Sequence, residues 1–249
     1  MAVHRPYNGP EDSFETTCAI CGEPALLTRD RLAISETYPC PTCRGKLRFQ
    51  GLARVVVDRF SRHGSESIAA LVDEPEFHAL HLYEPGELGP LRRHFRRLPN
   101  YEVSSYWPDA APGEVRDGVR CEDMMQLTFP TNSFDLVITS DVFEHVRKPY
   151  VGFAELHRVL RPGGAHVFSI PVRWPMRDTT VERVDTSGAD DVLLMEAAHH
   201  AGHLVYNDFG RDMLDRLDEI GFDTEPVVFA SPSDAASQLV TFCSVKPQR

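Results

Sequence analysis

The run Phe134-Asp135-Leu136-Val137-Ile138-Thr139 constrains this chain more than any other stretch. A short, nearly continuous apolar run with β-branched residues suits a strand covered on both faces, as in a parallel sheet. Tyr150 to Leu160 follows as a helix, in which Val151, Phe153, Leu156, Val159 and Leu160 supply most of the apolar surface. Arg161-Pro162-Gly163-Gly164 has the chemistry of a turn that stops a helix, and Ala165 to Pro171 reads as the next strand. Strand, helix and strand at this spacing predict a parallel pair joined by a crossover.

The same alternation extends in both directions. Ala79 to Tyr83, Tyr101 to Tyr106 and Gly118 to Cys121 read as strands, and Leu88 to Arg97 as a helix after the first. Upstream, Gly51 to His63 carries Leu52, Val55, Val56 and Phe60 on one helical face, and Ser67 to Val72 forms a second short helix ended by Asp73-Glu74-Pro75. Downstream, Asp208 caps a helix with Phe209, Met213, Leu217 and Ile220 at helical spacing, closed by Gly221. Pro226 to Phe229 and Leu239 to Val245 then read as the antiparallel hairpin of a mixed sheet. Residues 172–206 are a long irregular insertion, which in a compact domain serves as a lid or binding loop. Residues 1–13 are polar and aperiodic, an N-terminal arm.

The formal charge of −11, from 26 basic and 37 acidic residues, argues against a broad nucleic-acid or anionic-membrane surface. The basic stretch Arg92-Arg93-His94-Phe95-Arg96-Arg97 reads as the solvated face of a helix. With no signal-peptide core and no apolar run approaching ~18 residues, the expectation is a soluble, cytoplasmic protein.

Four of six cysteines are paired as Cys18-x-x-Cys21 and Cys40-x-x-Cys43, with 18 residues between the pairs. Each CxxC turn presents two thiolates, and two turns complete the tetrahedral set of a structural zinc ion. A redox pair and plain buried cysteines are the competing readings. Four thiolates leave no coordination position open, so this Zn2+ would hold a small module together (residues 14–47). Residues 48–76 then connect it to the main domain, residues 77–249.

In open α/β sheets ligands sit beyond the carboxyl ends of the strands where the chain order switches. Three stretches fall there: Glu84-Pro85-Gly86-Glu87-Leu88-Gly89, Ser104-Ser105, and Glu122-Asp123-Met124. At the last, a carboxylate can accept from an adenine amino group while Met124 covers the ring.

The segment EDMMQLTFPTNSFDLVITSDVFEHVRKPYVGFAELHRVLRPGGAHVFSIPV, Glu122 to Val172, resembles class I S-adenosylmethionine-dependent methyltransferases of the small-molecule type. The resemblance spans roughly residues 79–245 and implies a doubly wound, Rossmann-like, mixed seven-stranded sheet, here behind a small N-terminal zinc-knuckle module. Glu84 and Gly86 match the acidic residue and first glycine of the loop that approaches the methionine part of S-adenosylmethionine. Asp123, with Met124 beside it, matches the adenine-side carboxylate. Ser140 and Asp141 match positions lining the methionine moiety, and Glu144-His145 matches the segment beside the transferred methyl.

The chain departs from the family pattern twice. The second and third glycine positions of the loop hold Leu88 and Pro90, with Gly89 shifted between them. The ribose carboxylate of the second strand falls at Ser105, whose hydroxyl offers neither the charge nor the bidentate geometry of a carboxylate. That loss is worth about 1–3 kcal/mol of binding. Glu102 faces the other way by strand alternation, while Asp109 and Glu114 lie in the loop that follows and are candidates to replace it.

Methyl transfer from a sulfonium is an in-line displacement, so alignment dominates, and a general base helps a hydroxyl nucleophile. His145 is the first candidate base, against the alternative of a helix-start residue bonded to backbone. His199, His200 and His203 on the insertion follow, with a metal site or a solvated loop as their other readings. Arg173, Trp174, Arg177 and Tyr206 are candidates to line an acceptor pocket. The expected function is S-adenosylmethionine-dependent O-methylation of a small-molecule acceptor, a saccharide or natural product. The alternative is a methyltransferase fold that has lost methyl transfer and binds a ligand or runs other chemistry.

Overall fold

The computed structural model describes residues 12–86, 89–200, 202–229 and 239–248. The expected arm lies outside these residues up to position 11, as do Glu87 and Leu88 of the expected cofactor turn. The described chain begins with a hairpin, β1 (Ser13–Thr17) against β2 (Pro24–Thr28), on which the first cysteine knuckle is built. Helix α1 (Leu47–Phe60) starts four residues earlier than its apolar spacing indicates, because Arg48 and Gln50 in its first turn face buried polar partners. Two single-turn helices follow. In α2 (Ile68–Leu71) the Ser67 hydroxyl accepts from the Ala70 amide, and α3 (Pro75–His78) begins on the proline that was expected to end structure there.

Strand β3 (Leu82–Pro85) then enters the main sheet. Past it, only α4 (Arg92–Phe95) is helical where Leu88 to Arg97 is expected. The sheet continues with β4 (Tyr101–Ser105), a two-residue β5 (Val115–Arg116), β6 (Val119–Cys121), β7 (Phe134–Ser140), α5 (Pro149–Val159) and β8 (Leu160–Ser169). In the insertion, β9 (Val181–Glu182) pairs with β14 (Asn207–Asp208), β10 (Val184–Asp185) with β11 (Val192–Leu193), and β12 (His199–His200) with β13 (His203–Leu204). The insertion is therefore a stack of short ladders rather than irregular chain. Helix α6 (Asp212–Ile220) and strands β15 (Asp223–Phe229) and β16 (Leu239–Val245) close the fold.

The sheet runs β15-β16-β8-β7-β3-β4-β6-β5. Strands β6, β4, β3, β7 and β8 are parallel, β16 runs antiparallel to β8, and β15, antiparallel to β16, takes up the parallel direction again. This is the mixed, Rossmann-like methyltransferase architecture, with one strand more than expected, since β5 folds back on β6 at the edge. The order reverses between β3 and β7, so the crevice beyond their carboxyl ends is the switch point where ligands bind in such sheets.

Central strand β7 explains the layering. Leu136 and Ile138 point into a core shared with Leu52, Val55 and Val56 of α1. Val137 points into the opposite core with Phe153 and Leu156 of α5 and Met213 and Leu217 of α6. Phe153, fully buried, stacks on Phe143 with centroids 3.8 Å apart, so Phe153→Ala would cost about 3–5 kcal/mol.

Two sequence readings are corrected here. Arg161-Pro162-Gly163-Gly164 does not precede β8 but bulges within it: Phe134 pairs with Leu160, and Leu136 next with Ala165. Gly163 adopts φ +83° and its amide donates to the Lys246 carbonyl at 2.7 Å, so the turn residues stay inside the ladder as a bulge. Asp208 does not cap α6 either. It sits in β14 and accepts from Arg183 at 2.8 Å, while the helix begins after Arg211 without a side-chain cap.

Candidate functional site

The four cysteines converge. Cys18 Sγ lies 3.6 Å from Cys43 Sγ and Cys21 Sγ 3.8 Å from Cys40 Sγ, and the four sulfurs fall within 4.8 Å of one another. Zn–S bonds of about 2.3 Å at tetrahedral angles put sulfurs about 3.8 Å apart, so the donor set fits zinc. The Cys21 amide points at Cys18 Sγ, as a knuckle requires. Gln50 of α1 ties the cluster to the main domain, its Oε1 accepting from the Ala19 amide at 3.0 Å and its Nε2 donating to Cys18 Sγ at 3.2 Å.

At the switch point, β3 delivers Glu84 and Gly86. Glu84 is buried, accepts from the Tyr101 hydroxyl at 2.6 Å, and is pushed up to about 7 by burial. Gly86 adopts φ +99°, and a Cβ there would meet nothing within 4 Å among the described residues. The backbone is thus bare and open toward the crevice, the condition for close approach of a ligand. Gly89 has Glu84 Oε1 3.7 Å from where its Cβ would stand. A buried carboxylate two residues before a glycine in the left-handed region fits the ammonium end of S-adenosylmethionine.

Along the neighbouring strands the expected positions are occupied unevenly. Ser105 is half-buried, and its carbonyl accepts from the Glu122 amide at 3.0 Å. Asp109 and Glu114 are both paired with Arg116, at 3.1 and 2.7 Å. Asp123 Oδ1 accepts from the Met125 amide at 2.8 Å, a local turn that fixes the carboxylate at the strand end, and Met124 is buried beside it. Glu122 is consumed internally by Arg120 and Thr128.

At the end of β7, Ser140 and Asp141 meet a partner that the sequence does not advertise. Asp141 adopts φ +51°, and its carboxylate accepts from Ser169 Oγ at 2.8 Å and from Arg48 at 3.0 Å. Arg48 also contacts Glu36 of the cysteine module, and Lys46 reaches the same carboxylate at 2.5 Å. A chain of ion pairs therefore links the module to the crevice through the first turn of α1.

Next to it stands a cluster of histidines around one buried acid. Glu144 is 1% exposed, and burial pushes it up to about 7. Its Oε1 lies 3.0 Å from His200 Nδ1 and 3.5 Å from His145 Nε2, while its Oε2 has no hydrogen-bond partner among the described residues. The bond to Glu144 raises His200, whereas burial lowers His145. His145 Nδ1 faces the Leu204 carbonyl at 2.8 Å, the backbone bond expected of its non-catalytic reading, while Nε2 is turned to Glu144. His203 lies against His145 with ring centroids 5.6 Å apart. His199 is exposed, since alternation along the two-residue β12 turns His200 inward and His199 out. Sequence reasoning missed Glu144 as the hub; a Glu-His pair directly after a buried strand was the available signal.

The insertion is fastened where it enters and leaves. The Tyr206 amide donates to the Glu144 carbonyl at 2.7 Å. A Cβ on Gly210 would stand 2.2 Å from the Thr179 carbonyl carbon, so two backbones cross there with no room for a side chain. Trp174 packs on the core, Arg173 and Arg177 are exposed, and the Tyr206 hydroxyl donates to Asp191 at 2.8 Å.

Residues 88–168 match a family model described as a methyltransferase domain. Over 115 residues the chain is 30% identical to the sterol 24-C-methyltransferase erg-4 of Neurospora crassa, covering 44% of this chain and 28% of that protein. It is 33% identical over 93 residues to a protein of Mycobacterium avium named an uncharacterized methyltransferase, covering 36% of each. The chain thus spans well under half the length of these relatives. Among solved structures, an S-adenosylmethionine dependent methyltransferase from Mesorhizobium loti is similar at 20% identity and TM-score 0.45, over 71% of this chain and 95% of that one. The glycopeptide N-methyltransferase MtfA, complexed with S-adenosyl-L-homocysteine, is similar at 17% identity and TM-score 0.44, over 68% and 84%. Among the described residues, no helix is long and apolar enough to cross a membrane.

Proposed function

We propose that this chain is an S-adenosylmethionine-dependent methyltransferase that methylates a hydroxyl oxygen of a small-molecule acceptor. One observation carries the reading: the open Gly86 turn and buried Glu84 stand at the switch point of the sheet, within a chain whose residues 88–168 match the methyltransferase-domain model. When bound, the cofactor would supply a sulfonium methyl, to whose carbon the acceptor oxygen bonds in line as the carbon–sulfur bond breaks, giving the methyl ether, S-adenosylhomocysteine and a proton. Glu84 as carboxylate would hold the ammonium of the methionine part, with Gly86 and Gly89 admitting the backbone close to it. Asp123 would take the adenine amino group, Met124 would cover the ring, and Ser105 would make the weaker ribose contact. Ser140 and Asp141, braced by Ser169 and Arg48, would line the methionine part.

The Glu144, His145 and His200 cluster adjoins Asp141, since a His200 ring nitrogen and an Asp141 carboxylate oxygen lie within 4.8 Å of each other. In this reading the cluster would stand beside the transferred methyl, where the acceptor's proton must leave. Exposed Arg173 and Arg177 suit an acidic or saccharide acceptor. The four cysteines would hold structural Zn2+, which needs the reduced thiols of the cytoplasm.

Calorimetric titration with S-adenosylmethionine and S-adenosylhomocysteine tests this directly. Binding of both is expected, and binding of neither would sink the reading. Binding without turnover across a library of hydroxylated acceptors would instead favour a fold that has kept its ligand and lost its chemistry.

A further inference from the structure

The geometry points to a second metal centre: Glu144, His145 and His200 form a site for a divalent first-row transition-metal ion at the methyl-transfer end of the crevice. The inference rests on the reading above only for what the ion would act on, not for its existence.

The ligand atoms are spaced for it. Bonds of about 2.1 Å to nitrogen and oxygen put neighbouring ligand atoms about 3.0–3.4 Å apart, between octahedral and tetrahedral angles. The distances from Glu144 Oε1 to His200 Nδ1 and His145 Nε2 are 3.0 and 3.5 Å, and the three ligand atoms fall within 4.8 Å of one another.

The proton arrangement also favours a cation. A backbone carbonyl only accepts, so the Leu204 contact fixes the hydrogen of neutral His145 on Nδ1 and leaves the Nε2 lone pair facing the Glu144 carboxylate. Two acceptors facing each other at 3.5 Å are satisfied by a proton or by a metal ion between them, and the lone pair on Nε2 is the one a metal would take. Metal-bound histidines characteristically donate their other ring hydrogen to a carbonyl in this way.

The charge balance is the third, independent observation. Glu36 and Asp141 lie close by and share Arg48, with Lys46 also on Glu36. Glu144 has no Arg or Lys partner among the described residues, faces only the His200 and His145 rings, is 1% exposed, and its buried Oε2 has no hydrogen-bond partner among those residues. A buried carboxylate in that state is costly unless it is paired or bound to a metal. Two imidazoles and one carboxylate select a transition-metal ion over magnesium and leave coordination positions for an acceptor oxygen. Bound there, a hydroxyl would lose its proton at a lower pH.

The site also explains the insertion. His200 is its only ligand from outside the Glu144-His145 turn, and it is held in place by the Tyr206 and Leu204 contacts to that same turn.

The full chain, stripped with a chelator and reloaded with Zn2+, is expected to take up two ions by elemental analysis. His200→Ala and Glu144→Gln should each hold one. His63→Ala should still hold two, because the His63, Glu74 and Glu76 cluster is a surface group whose Glu74 carboxylate is already satisfied by backbone amides. Cobalt loading separates the two sites without any variant: the cysteine site gives sulfur-to-metal charge transfer and the second equivalent does not. Uptake of one ion by the wild type, or of two by both His200→Ala and Glu144→Gln, would overturn the proposal. S-adenosylhomocysteine titration of the same samples keeps the readings apart. Its binding without a second metal removes only this site, and a second metal without its binding removes only the methyltransferase reading.

Discussion

The cysteine cluster and the Glu144 cluster both lie near helix α1, and they are finished to different degrees. The first uses four donors for one tetrahedron, backs Cys18 with Gln50, and leaves nothing for a further ligand. The second keeps a buried oxygen with no hydrogen-bond partner among the described residues, and its His200 lies near Asp141 at the end of β7. A closed set of ligands holds a fold, whereas an incomplete set in a cleft is kept for a substrate or cofactor. Arg48 and Gln50, two residues apart, serve the two regions from one helical turn.

Emptying the closed site should have the largest effect on stability. Structural zinc contributes about 10–16 kcal/mol of binding energy to folding in small metal modules, so Cys40→Ser or chelation should unfold the module and lower the melting temperature sharply. A metal-free chain that melts unchanged would contradict it. Arg48→Ala cuts the link between the regions, leaving Asp141 with no cation and only the Ser169 hydroxyl, and Glu36 with Lys46 alone. A loss of about 3–5 kcal/mol in denaturant unfolding is expected, with part of it recovered in the Arg48→Met, Glu36→Gln double variant.

Ser105→Asp sharpens the open side. Restoring a charge at the ribose position should tighten S-adenosylhomocysteine by about tenfold to a hundredfold, from 1–3 kcal/mol. No gain in calorimetry would show that the ribose is held elsewhere. The smallest effect concerns Glu84. Its carboxyl is raised to about 7 by burial, so the stability that the neutral form contributes is complete below its ordinary value near 4.5 and is lost as pH rises through about 7. Cofactor binding as proposed needs the ionised form, so affinity should fall by up to about tenfold between pH 8 and 6. Glu84→Gln should bind weakly at both and lose the slope.

Much of the sheet was legible because β7 and α5 carry their burial in local pattern. Leu136, Val137 and Ile138 are buried in succession, and Phe153, Leu156 and Val159 recur at helical spacing. What failed was punctuation. Gly163-Gly164 ends a helix and builds a bulge with the same residues, and only pairing with Lys246 distinguishes them. Asp208 is a good cap by composition, but Arg183, 25 positions away, takes its carboxylate. In the site, the convergence of Cys18, Cys21, Cys40 and Cys43 was readable from spacing, whereas the Glu84-Gly86 turn was singled out by its place after a strand and by the family resemblance. The Glu36, Arg48 and Asp141 chain was not, because it joins three elements with no local signature.

The crossing at Gly210 and Thr179 bears on how such a chain diversifies. With the two ends of the insertion clasped there and at Tyr206, the residues between are free to change in sequence without disturbing the sheet. New acceptors can therefore be tried by altering one detachable segment, and inheritance of the cofactor half is insulated from that experiment.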